Sequence, residues 1–206
     1  AGLQFAEKYC QDLKKVEAAD DFGRPATTWK MKNATINTYA DDATVTYTAE
    51  VETGTIYSDL GLSSKITATV TRNGDPAADL LISKGNVAKT GTGEGTRVEV
   101  FYDSDANTIQ IVEIDTYVAQ VSTVKPATSK DERSIVLTDK SSAAPTNFNS
   151  HNTFETTAFA EDDIVLYTYA DDEIQSVVLA EQATGDLTGR TQGKSVTVGG
   201  TTYKYS

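Results

Sequence analysis

Residues 108–124 read TIQIVEIDTYVAQVSTV, and this run decides the fold class. Its β-branched and aromatic residues fit the pleated, half-buried surface of a strand. At a rise of about 3.3 Å per residue the run would extend roughly 55 Å, whereas a usual strand has about 5–6 residues. We therefore expect the run to cross the boundary between two β units and to belong partly to each.

Alternating apolar and polar residues predict further strands on both sides of this run. The candidate strands before it cover residues 34–39, 44–51, 65–72 and 96–101, and those after it cover 134–138, 153–157, 164–169, 173–180 and 195–205. Two-residue hairpin turns are predicted at Asn73-Gly74 and Gly199-Gly200, because both positions of such a turn need positive φ angles.

Only the amino-terminal end has a helical pattern. Apolar side chains recur at three- and four-residue spacing from Leu3 to Val16, and neither glycine nor proline interrupts residues 3–19. This pattern predicts an α-helix, followed by a turn-rich corner at Phe22-Gly23-Arg24-Pro25. Residues 56–62 are ambiguous and are compatible with one helical turn.

The predicted fold class is mainly β, with two small antiparallel β units and an N-terminal α-helix. Strand spacing does not decide whether the units are barrels or sandwiches. We expect a helix and turn-rich corner in residues 1–30, a first β unit in residues 31–116 and a second β unit in residues 117–206.

Charge and composition exclude several classes of function. The net charge of −12 opposes binding to nucleic acid and to anionic lipid. No apolar run approaches the roughly 18 residues of a membrane helix.

No signal segment opens the chain, and it stops inside a predicted strand, so we expect a longer parent protein that carries the targeting and anchoring parts. Cys10 is the single cysteine, which excludes an internal disulfide, and it is expected to pack on the apolar side of the helix.

The glycine-rich stretch from Thr90 to Thr96 is a weak candidate for phosphate binding. A phosphate loop needs a strand before it and a helix after it, so that the helix N-terminus faces the phosphate. Here a strand is predicted to follow, and the lysine of a P-loop is missing. A flexible loop or bulged turn is the favoured interpretation.

Asp103, Asp105 and Asn107 alternate like the first ligands of a calcium loop. Thr108 and Ile114 stand where such a loop requires glycine and a bidentate glutamate. We interpret the three residues as a hairpin turn, with a weak surface calcium site as the alternative.

Nothing in the sequence nominates catalytic residues. His151 is the only histidine, and no Cys/His set accompanies it. The acidic group at 161–163 precedes a strand and is typical of a turn, and a glycosidase pair stays open only because its members can be far apart in a chain. Trp29 and the tyrosines could stack on sugars, but tyrosine alternating with threonine favours ordinary strand packing. We therefore predict that the protein is not an enzyme, with no catalytic, cofactor-binding or metal-binding residues.

Several strings, in a fairly specific order, resemble the central β-rich region of bacterial cell-surface proteins that carry S-layer homology domains. They are DFGRPATTWK at 21–30, INTYAD at 36–41, GTGEGTRVEV at 91–100, IDTYVAQV at 114–121, YADDEIQSV at 169–177 and GKSVTVGGTTY at 193–203. The resemblance implies an extracellular protein that is attached to the cell wall or associated with an S-layer. Its anchoring repeats lie outside this segment, and the resemblance brings no catalytic residues.

The predicted function is therefore a non-catalytic structural spacer or scaffold segment of such a surface protein. The expected partners are other cell-surface or S-layer proteins, and no cofactor, nucleic acid or membrane is expected. The alternative is a surface module that binds carbohydrate, such as that of the cell wall, or another protein.

Overall fold

A computed structural model of the chain describes residues 10–18, 20–31, 34–39, 43–93, 95–104, 106–192 and 194–204. The predicted mainly β class is confirmed. The strands are β1 Cys10–Ala18, β2 Pro25–Met31, β3 Ala34–Tyr39, β4 Val45–Tyr47, β5 Val51–Glu52, β6 Ile66–Arg72, β7 Asp75–Ile82, β8 Lys89–Thr90, β9 Thr96–Asp103, β10 Thr108–Asp115, β11 Tyr117–Lys125, β12 Ser134–Asp139, β13 Thr153–Glu155, β14 Ile164–Ala170, β15 Glu173–Leu179, β16 Leu187–Thr191, β17 Ser195–Val198 and β18 Thr201–Lys204. Among the described residues, no helix is both long and apolar enough to cross a membrane.

The prediction of an N-terminal helix is wrong over Cys10–Ala18. This segment is strand β1, which pairs antiparallel with β2, and β2 pairs in turn with β3. The register between β1 and β2 shifts twice, between Cys10 and Asp12 and between Lys15 and Ala18. Such bulges break the two-residue alternation of a strand, so the sequence here does not show a strand period. The rest of the predicted helix, in residues 3–9 and Ala19, lies outside the described residues.

One α-helix is present in the described part of the chain, and it is α1, Thr53–Asp59, which overlaps residues 56–62, the stretch that the sequence left ambiguous. The backbone N–H groups of Thr53 and Gly54 donate to the carbonyls of Ala88 (2.8 Å) and Asn86 (2.9 Å), which satisfies two donors of the first turn. Only glycine fits at Gly54, because a Cβ atom there would lie 2.7 Å from the carbonyl oxygen of Asn86.

The chain divides into two compact units. Unit 1 lies within Ala1–Gly91 and Thr96–Asp115, and unit 2 within Thr92–Gly95 and Thr116–Ser206. The run 108–124 contributes to both, as predicted, because β10 pairs inside unit 1 and β11 pairs inside unit 2. It forms two strands rather than one, since the strand pairing stops at Thr116, whose backbone N–H donates to the carbonyl of Gly95 (3.0 Å).

Unit 1 contains a five-stranded sheet with the order β4-β9-β10-β6-β7, and β5 pairs separately with β8. The predicted hairpin between β6 and β7 is confirmed, with positive φ angles at Asn73 (49°) and Gly74 (90°). The prediction of an antiparallel unit holds for the other pairs of this sheet, but β10 runs parallel to β6. A parallel pair needs a long connection, and β7, β8 and β9 supply it.

The two faces of this sheet are covered differently. On one face, apolar side chains of β6, β9 and β10 form a core with Ile56 of α1. On the other face lies the segment Asp20–Pro25, which we call the strap. Its contacts include a hydrogen bond from Thr71 Oγ1 to the carbonyl of Phe22 (3.1 Å) and one from Gln110 Nε2 to the carbonyl of Gly23 (2.6 Å). The turn-rich corner of the sequence is thus a packed part of unit 1.

Unit 2 contains an antiparallel five-stranded sheet with the order β13-β12-β11-β14-β15. Its core is built from side chains of β11, β12 and β14 together with Phe148 from a short 3-10 helix, Phe148–Ser150. The last three strands form a separate antiparallel sheet, β16-β17-β18, which we call the carboxy-terminal sheet. Its predicted turn is confirmed by the positive φ angles of Gly199 (55°) and Gly200 (84°).

Candidate functional site

The glycine-rich stretch donates hydrogen bonds to a carboxylate, and this carboxylate is a side chain of the same protein. The backbone N–H of Gly91 donates to Glu113 Oε1 (2.9 Å), and the hydroxyl of Thr90 donates to the same oxygen. Strand β9 follows the stretch, as the sequence predicted. The loop therefore uses its backbone to hold a side chain of the neighbouring strand.

Asp103 and Asn107 lie at the turn between β9 and β10, and Asp105 lies outside the described residues. Asp103 Oδ1 accepts a hydrogen bond from the backbone N–H of Ala106 (3.0 Å), and Asn107 has a positive φ of 52°. These are the roles of residues in an acidic hairpin turn.

Calcium binding at this turn is expected to be weak. Calorimetric titration of the full chain at physiological salt should give no dissociation constant tighter than about 0.1 mM, since Thr108 and Ile114 occupy the positions of later calcium ligands. Stoichiometric binding tighter than this, lost in Asp103→Ala, would contradict the prediction.

Where the structure describes them, the other candidates from the sequence lie in turns or at the surface. His151 is exposed, and its backbone N–H donates to the carbonyl of Phe148 (2.9 Å). Asp162 has a positive φ of 71°, and the carboxylate of Asp163 accepts from the N–H of Ala160 (2.8 Å), as expected of turn residues. The side chains of Cys10 and Trp29 lie outside the described part of the structure.

Three aromatic side chains of unit 2 form a stacked group in its core. The ring of Tyr167 lies 4.8 Å from that of Phe148 and 5.3 Å from that of Tyr117, measured between centroids. The hydroxyl of Tyr167 donates to Asp139 Oδ1 (2.7 Å). Strand packing, the interpretation favoured from the sequence, accounts for these tyrosines.

Among the residues of unit 1 that the structure describes, the main polar feature is a set of three buried carboxylates on β9 and β10. Glu99 is 4% exposed, and Glu113 and Asp115 are each 7% exposed. Sequence reasoning missed them. The signal was available, since each acidic residue interrupts an apolar stretch in a strand that the sequence predicted strongly.

Asp115 is the most highly connected of the three. Its Oδ1 accepts a hydrogen bond from the hydroxyl of buried Thr96 (2.8 Å), and its Oδ2 accepts from Arg72 Nε and from Asn73 Nδ2 (both 3.0 Å). Its backbone N–H donates to Asn73 Oδ1 (2.8 Å). The hairpin turn after β6 is therefore fixed to the end of β10 through one carboxylate.

Glu99 lies on the opposite face of the sheet, under the strap. Arg24 donates to both of its carboxylate oxygens, from Nε to Oε2 (2.6 Å) and from Nη2 to Oε1 (3.0 Å). Arg97 Nε donates to Oε1 as well (2.6 Å), and Arg24 also pairs with Asp20 inside the strap. This fork geometry suits arginine and carboxylate, and it ties the strap to β9.

The electrostatics of this pair follow from its hydrogen bonds. Burial raises the pKa of the Glu99 carboxyl, but the hydrogen bonds from Arg24 and Arg97 outweigh burial, so the pKa of Glu99 lies below its ordinary value. The hydrogen bond to Glu99 raises the pKa of Arg24 above its ordinary value. Both groups are therefore held in their charged forms.

The arrangement is one of structural ion pairs. Each buried carboxylate accepts hydrogen bonds from arginine, hydroxyl, amide or backbone donors, as a buried charge requires. Within the described ranges, no three His, Cys, Asp or Glu side chains are grouped so that they could hold a metal ion. The site can fasten strands, a turn and the strap to one another.

Fold and site together define a mainly β protein of two compact units, one of which is fastened by buried arginine–carboxylate pairs. Comparison with protein-family models, with curated proteins and with solved structures found no match to this chain.

Proposed function

We propose that this chain is a non-catalytic spacer or scaffold segment of a bacterial surface protein that is attached to the cell wall or associated with an S-layer. One observation carries the spacer role. In each five-stranded sheet, the first and last strands along the chain point in the same direction. The assignment to a bacterial surface is supported only by the resemblance of the sequence strings.

Strand directions follow from the pairings. In unit 1, β4 and β10 are both antiparallel to β9, so they point the same way. In unit 2, β11 and β15 are both antiparallel to β14, so they also point the same way. Tension along the chain pulls the first strand from its beginning and the last strand from its end. The two strands are therefore pulled in opposite directions along their own axes.

This geometry resists tension. Hydrogen bonds between antiparallel strands lie perpendicular to the strands, so an axial pull acts on all the bonds of a ladder together. Pulling the same strands apart sideways would break the bonds one after another. A segment that must keep its length between an anchor and an outer domain therefore benefits from strands that are pulled along their axes.

The buried carboxylates support the same role. The pairs of Glu99 and Asp115 fasten the strap and the β6–β7 turn to the central strands of unit 1. Other cell-surface or S-layer proteins remain the proposed partners. The alternative, a binding module for carbohydrate or protein, draws support from exposed apolar side chains on the carboxy-terminal sheet.

Single-molecule force spectroscopy tests the spacer role. With handles at the two ends of the chain, we expect each five-stranded sheet to unfold in one cooperative event. In a matched control, the handles are attached to cysteines that replace Thr116 and Glu173. These positions are at the starts of β11 and β15, which lie at the same end of the sheet because the two strands point the same way. Cys10→Ser is present in both forms.

The force at which unit 2 unfolds should be several-fold higher with end handles than with the control handles, because forced unfolding follows the unfolding rate and only the control separates strands sequentially. Equal, low forces in the two geometries would contradict a role under tension.

A further inference from the structure

The β6–β7 turn contains a dipeptide that is prone to spontaneous deamidation. Asn73-Gly74 is the only Asn-Gly pair in the sequence. An asparagine deamidates when the backbone nitrogen of the next residue attacks the carbon of its side-chain amide. Glycine favours this attack, because it has no Cβ atom to hinder the approach. The turn is therefore a candidate site of chemical modification.

The reaction requires only water. The nitrogen of Gly74 bonds to Cγ of Asn73, the bond from Cγ to Nδ2 breaks, and ammonia leaves with the proton that the Gly74 nitrogen loses. Water then opens the resulting succinimide ring, at one carbonyl to give aspartate and at the other to give isoaspartate. The side-chain amide of Asn73 must rotate onto the nitrogen of Gly74 before the first step can occur.

The folded structure holds this amide in place. Asn73 Nδ2 donates to Asp115 Oδ2 (3.0 Å), and Asn73 Oδ1 accepts from the backbone N–H of Asp115 (2.8 Å). The backbone N–H of Asn73 donates to the carbonyl of Glu113 (2.9 Å). Asp115 is only 7% exposed, so water does not readily replace a lost donor there. Rotation of the amide toward Gly74 would break both side-chain hydrogen bonds.

The products of the reaction do not fit this turn. An aspartate side chain at position 73 has no N–H to donate, so its carboxylate would face that of Asp115 at the distance of a hydrogen bond, where like charges repel. Isoaspartate adds a backbone carbon atom, which disrupts a two-residue turn that sets the register of its hairpin. After either change, the turn could not regain its contacts with β10.

We propose that Asn73-Gly74 is a deamidation site that Asp115 keeps unreactive in folded unit 1 and that reacts when the unit unfolds. The modification then prevents the turn from returning to β10, so a prolonged unfolding of unit 1 becomes irreversible. This proposal does not depend on the spacer function.

Peptide mapping by mass spectrometry tests the protection. The full chain is incubated in mildly alkaline buffer, either folded or denatured in guanidinium chloride. Deamidation of Asn73 should be at least about tenfold slower in the folded protein, because both side-chain hydrogen bonds must break before the attack. Equal rates in the two states, or a denatured chain that does not react at Asn73, would overturn the proposal.

Thr108→Gly supplies a matched control within one molecule. It creates a second Asn-Gly pair at Asn107, which also has a positive φ (52°) in a hairpin turn of unit 1 but is exposed. In the folded variant, Asn107 should deamidate at least about tenfold faster than Asn73. Equal rates at the two sites would show that the turn conformation, and not Asp115, protects Asn73, which would contradict the proposal.

Asn73→Asp tests the consequence of the reaction, because it reproduces the aspartate product. Denaturant unfolding followed by Trp29 fluorescence should give an equilibrium constant for unfolding of unit 1 that is about tenfold larger or more. Asn107→Asp, the same change at the exposed turn, should alter this constant by no more than about twofold. An unchanged constant in Asn73→Asp would refute the irreversible step.

Discussion

Replacing Asp115 with alanine is expected to lower the free energy of unfolding of unit 1 by about 3 kcal/mol. The substitution leaves the hydroxyl of buried Thr96 and the amide of Asn73 without the carboxylate that they contact, and it leaves Arg72 without its nearest carboxylate. A buried donor without an acceptor loses about 1–3 kcal/mol. Chemical denaturation followed by the fluorescence of Trp29, the only tryptophan and a residue of β2 in unit 1, measures the change.

Asp79→Ala is the matched control for this substitution. Asp79 is an exposed carboxylate on β7 in the same unit, and a surface substitution of this kind changes stability by no more than about 0.5 kcal/mol. If both substitutions lowered the free energy of unfolding equally, the hydrogen bonds of Asp115 would contribute no more to stability than an exposed carboxylate does.

Replacing Arg24 with methionine is expected to destabilise unit 1 by about 2 kcal/mol at pH 7. Glu99 stays buried and charged, and it keeps only the single hydrogen bond from Arg97. Removing one partner of a buried charge pair typically costs about 3–5 kcal/mol, and the remaining arginine reduces that figure. Arg97→Met should have a smaller effect, because Arg24 retains two hydrogen bonds to the carboxylate.

The same pair predicts a pH dependence. The pKa of Glu99 is lowered in the folded protein, so its contribution to stability is complete above its unfolded pKa and is lost as the pH falls through the folded value. The stability difference between wild type and Glu99→Gln should therefore be largest near neutral pH. It should shrink below about pH 4, where carboxylates become protonated.

A double variant separates pairing from packing. In Arg24→Met/Glu99→Leu both charges are absent, so no buried charge is left alone, and stability should recover in part from the level of Arg24→Met. Denaturation of Arg24→Met, Glu99→Leu and the double variant at pH 7 measures this. If the destabilising effects of Arg24→Met and Glu99→Leu simply add in the double variant, the two side chains do not act as a pair.

The candidate site was only partly accessible from sequence. Asn73-Gly74 identified a hairpin turn, because a two-residue hairpin needs positive φ at both positions, and the turn is present. Its asparagine side chain binds Asp115, which is 42 residues further along the chain. Nothing local in the sequence indicates such a contact, since it exists only once β10 has aligned parallel to β6.

Local pattern determined most strands and turns of this protein by itself. Alternation and β-branched residues placed strands close to β6, β9, β12, β14 and β15, because a two-residue period with apolar side chains on one face leaves few other structures. The acidic composition and the single cysteine likewise followed from the sequence alone.

Tertiary structure decided the features that depend on distant partners. Cys10–Ala18 has a helical spacing of apolar residues but forms a strand, because β2 offers backbone hydrogen bonds and two bulges absorb the irregular spacing. The division of residues 108–124 at Thr116, the parallel pairing of β10 with β6 and the burial of Glu99 beneath Arg24 likewise arise from contacts between residues far apart in the chain. The two-residue alternation of a sequence indicates which side of a strand is apolar. The pairing of that strand and the burial of its side chains depend on which other strands lie beside it.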